Sequence, residues 1–158
     1  HEVLLASSVM KAGDLWADSG CVRGVGGTKG HRQFRDFLKR YGLKPVALKC
    51  QETFQFGDGN SQTSTVRWLY PTFLDGEFKG HLDQCEVKVD CPQLFSKNML
   101  KTWDVDLCFG KQEIRIGRFK KTVPFTDNQL PIINIFDFTE QSLKKCWHKI
   151  PEQFKIQK

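Results

Sequence analysis

Apolar and polar positions along this chain alternate with the period of strands more often than with the period of helices. Residues 3–9 read as a first strand, 10–14 with Gly13 as a turn, and 15–18 as a second strand, the two forming a hairpin. Residues 22–27 give a short third strand weakened by its glycines. The helical period is clearest at 31–41, where Phe34, Phe37, Leu38 and Tyr41 fall at i, i+3, i+4 and i+7 and Gly42 sits at the stop. After Pro45 the pattern is β again. Strands are expected at 46–49, 52–56, 64–70 and 80–89, with a strong turn signal at Gly57-Asp58-Gly59-Asn60 and another at Asp75-Gly76. A short helix is expected at 94–100, strands at 105–109 and 112–117, and an apolar, β-branched strand at 130–138. Thr139 opens a last helix that Pro151 ends, and the tail, 152–158, reads as frayed. No internal repeat or low-complexity segment interrupts this order.

Composition adds bounds. The 158 residues fit one domain, and 39% hydrophobic against 27% charged residues, with thirteen Phe and four Trp, supply a packed core. The net charge of +6 is spread along the chain, which reads as a solvated basic surface more readily than as a nucleic-acid groove. The basic helix residues Arg32, Arg35, Lys39 and Arg40 lack the Asn or Gln cluster that base reading needs. Six cysteines without a C-x-x-C pair point away from zinc and, in a chain this size, to reduced thiols and an intracellular setting, in the cytoplasm or a particle. No segment approaches the apolar length of a membrane span, the first residues lack the features of a signal peptide, and a start at His1 suggests a piece of a longer polypeptide.

Most candidate chemistry falls away on spacing. The glycines at 24, 26, 27 and 30 match neither G-x-x-x-x-G-K-[ST] nor G-x-G-x-x-G. The four histidines are scattered outside any metal-hydrolase pattern, Ser19 lies in no G-x-S-x-G elbow, and no metal or cofactor is called for. A Cys21–His pair stays open, with a small core thiol the simpler reading. There remains Asp18, which the apolar run Leu15-Trp16-Ala17 carries to a Ser-Gly turn. A carboxylate at the end of a buried strand is costly unless hydrogen bonds compensate it.

Three segments in order give Asp18 a context: Leu15-Trp16-Ala17-Asp18-Ser19-Gly20, Phe54-Gln55-Phe56-Gly57-Asp58-Gly59, and Cys91-Pro92-Gln93-Leu94-Phe95-Ser96-Lys97-Asn98-Met99-Leu100 followed by Val105-Asp106-Leu107. This order resembles the retroviral-type (retropepsin-like) aspartic proteases, above all the protease regions of retrotransposon polyproteins, across residues 1–138. The chain departs from that pattern in having Cys21 after the motif, Ser96 where Gly is usual, and an inserted glycine run and helix after residue 23.

The resemblance implies a mainly β fold, a closed or partly closed barrel of hairpins, with the segment 139–158 as a C-terminal helix and tail. It implies a homodimeric endopeptidase acting on an extended peptide or polyprotein. Asp18 would meet Asp18 of a second copy, with Ser19 and Gly20 fixing the pair. The tip Phe56, Gly57, Asp58 and Gly59 would close as a flap, and Trp68 and Tyr70 would line pockets, although ordinary core aromatics is the simpler reading of those two. The strand 131–138 would be the dimer-sheet candidate. Two carboxylates about 3 Å apart share one proton, so one can take a proton from water while the other polarises the peptide carbonyl. The alternatives are a silent protease-like binding module and a basic nucleic-acid-binding domain.

Overall fold

A computed structural model describes residues 11–18, 20–57, 59–125 and 130–157. The expected strand at 3–9 and its hairpin with the next strand lie outside them. The fold is mainly β with a few short helices. Seven strands form one sheet in the order β10-β1-β6-β2-β5-β4-β3. These are β1 (Asp14–Ala17), β2 (Val25–Gly27), β3 (Val46–Gln55), β4 (Ser61–Leu74), β5 (Glu77–Val87), β6 (Leu94–Phe95) and β10 (Ile132–Asn134). A second sheet joins β7 (Val105–Cys108), β8 (Glu113–Ile116) and β9 (Phe119–Thr122). The helices are α1 (Thr28–Lys39), α2 (Lys97–Thr102) and α3 (Glu140–Cys146).

The expected barrel does not close, because β10 and β3 end the large sheet as separate edges. The chain beyond β10 runs on to β4. There Phe73 of β4 donates its N–H to Ile135 O at 2.7 Å, and Phe73 and Phe136 form a single parallel bridge. The apolar run 130–138 therefore gives three strand residues and then turns away along β4, rather than continuing as one strand.

α1 starts three residues ahead of its expected position. Gly27 is its N-cap and contributes no side-chain cap, so the apolar stripe rather than a cap anchors the helix. His31, Phe34 and Leu38 are buried at i, i+3 and i+7. Phe34 packs edge-on to Tyr70 and Phe136, and Phe37 stacks on Phe136 at 5.4 Å. His31 bridges helix and sheet. Its Nε2 lies 2.9 Å from the Cys85 carbonyl and must carry the proton, which leaves Nδ1 to accept from the Tyr70 hydroxyl at 2.5 Å.

The segments 46–49 and 52–56 merge into β3 through a bulge between Lys49 and Glu52. The turn signal at 57–60 is borne out as a hairpin tip, with Gly59 at positive φ and Gly59 N–H donating to Phe56 O at 2.9 Å. The expected helix at 94–100 begins only at Lys97. Pro92 favours extended backbone before it, and Leu94 and Phe95 insert as β6 between β1 and β2. Ser96 then caps α2, accepting Met99 N–H at 3.2 Å. β9 was not expected, since only one of its four residues is apolar.

The tail is not frayed. α3 opens with a reciprocal Thr139–Ser142 capping box, and Leu143, Cys146, Ile150 and Phe154 all enter the main core. Phe154 is fully buried, its carbonyl accepts Lys44 N–H at 2.9 Å, and Ile156 N–H reaches Gly42 O at 2.9 Å. The apolar positions at 150 and 154 outweigh proximity to the terminus.

Candidate active site

β1 is buried on both faces, and its only charged residue, Asp14, accepts Asn134 Nδ2 at 2.8 Å and Lys11 N–H at 2.9 Å. From β1 the chain leaves β6 on one side, loops over its end and returns as β2 on the other. β6 pairs parallel with β1 and antiparallel with β2, so the loop 18–24 is clasped from below. Asp18 N–H donates to Phe95 O at 3.0 Å, and Lys97 N–H donates to Cys21 O at 2.7 Å. Within the loop, Cys21 N–H closes a turn on Asp18 O at 3.1 Å.

The Asp18 side chain is half-buried. Its Oδ1 accepts Gly20 N–H at 2.9 Å, and its Oδ2 accepts no hydrogen bond from a described residue. A Cβ at Gly20 would stand 3.2 Å from that Oδ1, so a small residue suits the turn. One oxygen is thus tied down within the turn. Ser19 and Asp58 lie outside the described residues.

Cys21 is a protonated thiol. Burial, and then the Asp18 charge beside it, push it up to about 11, and it donates to Arg23 O at 2.8 Å. No described histidine contacts it, and His31 is engaged by Tyr70 and Cys85, so the Cys21–His alternative has no support among the described residues.

The hairpin β3–β4 reaches the same region. Cys21, Phe54, Phe56, Val89, Cys91 and Leu94 pack, half-exposed, around Val25, Cys85 and Val87. Arg23 pairs with Glu52 of β3 at 3.4 Å. The structure therefore brings Asp18 and Gly20 into one turn, and Cys21 of that loop onto the same apolar cluster as Phe56. The tip glycines Gly57 and Gly59 have open space where a Cβ would stand. Trp68 packs half-buried against the main core, under the Arg35 guanidinium at 4.5 Å, and its Nε1–H donates to Glu86 at 2.9 Å, so it helps to hold α1 on the sheet. Tyr70, fully buried, is likewise a core residue. Arg35, engaged by Trp68 and by Glu86 at 3.6 Å, is also withdrawn from any basic patch.

The glycine run has a packing explanation. A Cβ on Gly24 would fall 1.9 Å from Gln84 Oε1, and one on Gly26 would fall 2.1 Å from Gln93 Cδ. Gln84 and Gln93 are buried, and Gln84 Nε2 donates to Gln93 Oε1 at 2.9 Å. Glycine at alternate positions of one strand marks close approach by a neighbour, a signal present in the sequence and overlooked there. Gly26→Ala is expected to cost about 2 kcal/mol by overpacking. Gly57→Ala, at the open hairpin tip, stays within about 0.5 kcal/mol. Urea unfolding of both variants checks this contrast.

Two cavities of about 600 and 550 Å³ are lined by α1, α3 and the segment 134–138, and neither includes Asp18. Among the described residues no cluster of ligating side chains could hold a metal ion, and no helix is long and apolar enough to cross a membrane. No family model, no curated protein and no solved structure matches the chain.

Proposed function

We propose that this chain is one half of a homodimeric aspartic endopeptidase of retroviral or retrotransposon type, working in polyprotein processing. The observation that carries the reading is the Asp18 loop. It offers a half-buried carboxylate at the end of a buried strand, held through one oxygen by Gly20 N–H, with its backbone pinned to Phe95 of β6 on one side and to Lys97 of α2 on the other. In this reading the carboxylate is half of a water-activating pair, and a two-fold axis beside the loop supplies the other half.

In the assembled site, one Asp18 is ionised and takes a proton from the water. The other is protonated and polarises the scissile carbonyl. The hairpin tip around Phe56, Gly57 and Gly59 covers an extended peptide and excludes water. Its cluster with Cys21 and Cys91 supports that role by tying the hairpin base to the catalytic loop.

The test is cleavage of an unfolded protein mixture from about pH 4.5 to about pH 7, across a range of chain concentrations. The rate rises more than linearly with concentration while dimers form. No cleavage at a concentration where scattering shows a dimer would overturn the reading and leave a silent dimeric module.

A further inference from the structure

Gln84 and Gln93 are a buried pair that the chemistry above does not use. Gln84 is fully buried and Gln93 3% exposed. Their amides meet in a single hydrogen bond, and Gln84 Nε2 also points at Val25 O, at 3.5 Å. That second contact fixes which end of the Gln84 amide is nitrogen. Gln84 Oε1 and Gln93 Nε2 then have no hydrogen-bond partner among the described residues. Two apolar side chains of similar length would fill the same space and orphan nothing.

The surroundings of the pair give it a task. The Gln93 backbone carbonyl accepts Trp16 N–H at 2.9 Å, on the strand that enters the Asp18 loop. The Gln93 side chain lies against Gly26, on the strand that leaves the loop, and the Gln84 side chain against Gly24, the loop's last residue. Cys85, next to Gln84, donates its N–H to Gly24 O at 2.9 Å. The pair therefore spans both ends of the loop from beneath.

We propose that Gln84 and Gln93 are positioning residues for Asp18: their amide–amide bond ties β5 to the start of β6 across β2, and so fixes the place where the loop between β1 and β2 presents the Asp18 carboxylate. For catalysis this rests on the aspartic-endopeptidase reading. As a statement about loop geometry it stands without it. Their polarity supplies a directional lock, since an amide pair has one bonded arrangement here whereas methionines slide.

The test is the double variant Gln84→Met/Gln93→Met, with Gln93→Met alone as the second variant should the double fail to fold. Three quantities are read: thermal stability, amide hydrogen exchange at Gly20, Cys21 and Lys97, and kcat and KM for peptide cleavage. The expected result is a melting temperature equal to or above that of the parent, and exchange at the three loop amides faster by roughly tenfold. kcat falls by about 10²-fold with KM nearly unchanged, because a small displacement of a reacting group costs rate rather than binding. A folded variant with unaltered loop exchange and unaltered kcat overturns the proposal. So does a kcat loss that merely follows the lost folded fraction. If the parent chain cleaves nothing, the exchange measurement alone decides: faster loop exchange sustains the positioning role while the protease reading fails.

Discussion

Asp18→Asn abolishes peptide cleavage, by about 10³-fold or more, and leaves the chain folded. Asn keeps the shape of Asp and an oxygen that accepts Gly20 N–H, the one hydrogen bond the described structure gives this side chain. The β1–β6 clasp runs through backbone groups and is untouched. What disappears is the ability to hold or take a proton, on both sides of the dimer at once. The check is an initial-rate assay beside a thermal melt. A melting temperature within a few degrees of the parent, with cleavage gone, is the expected pair of results. Cleavage that survives in Asp18→Asn would assign the chemistry elsewhere in the chain.

Acidification destabilises the fold through His31. Burial lowers the His31 imidazole from its ordinary 6.5 to about 4, outweighing the opposing effects of the Cys85 carbonyl and the Glu86 charge; the Arg35 charge lowers it further. Those two side chains are the charged groups that face it, and Tyr70 holds its other nitrogen. The sign follows from where the proton goes. Above pH 6.5 the ring is neutral in both states and its contribution is complete. Between pH 6.5 and about 4 only the unfolded chain takes the proton, so stability falls, by about 3 kcal/mol in all. Below about 4 both states are protonated and this loss stops growing. His31→Gln removes the titration. The variant is less stable at neutral pH, yet its stability changes little over the window in which the parent's declines. Urea unfolding at several pH values reads the difference, and parallel curves for the two proteins would contradict it.

The strands and the large helix were legible because their signals are periodic. The stripe Phe34, Leu38 found α1, and Gly57-Asp58-Gly59-Asn60 found the hairpin tip. Boundaries moved where tertiary pairing overrode local preference. Leu94 and Phe95 fit a helix face, but the slot between β1 and β2 takes them as a strand. β9 carries Lys120 and Lys121 on an exposed sheet and has no apolar period to find. Within the candidate site, Asp18 and Gly20 were readable from one tripeptide. Gln84 and Gln93 were not, since a buried amide looks like any surface glutamine until its partner strand is known. The contacts of Trp68 with Glu86 and Arg35 were not legible either, because a half-buried strand aromatic does not announce which neighbours it meets.

The most direct measurement is a mixing experiment. Parent chain and Asp18→Asn chain are combined at fixed total concentration, well above that needed for dimers, and cleavage is followed as the parent fraction falls. A site built from two Asp18 residues needs both copies to be parent, so the rate falls as the square of that fraction. A rate falling in simple proportion to it would mean that each chain acts alone, and the paired-carboxylate account would be wrong.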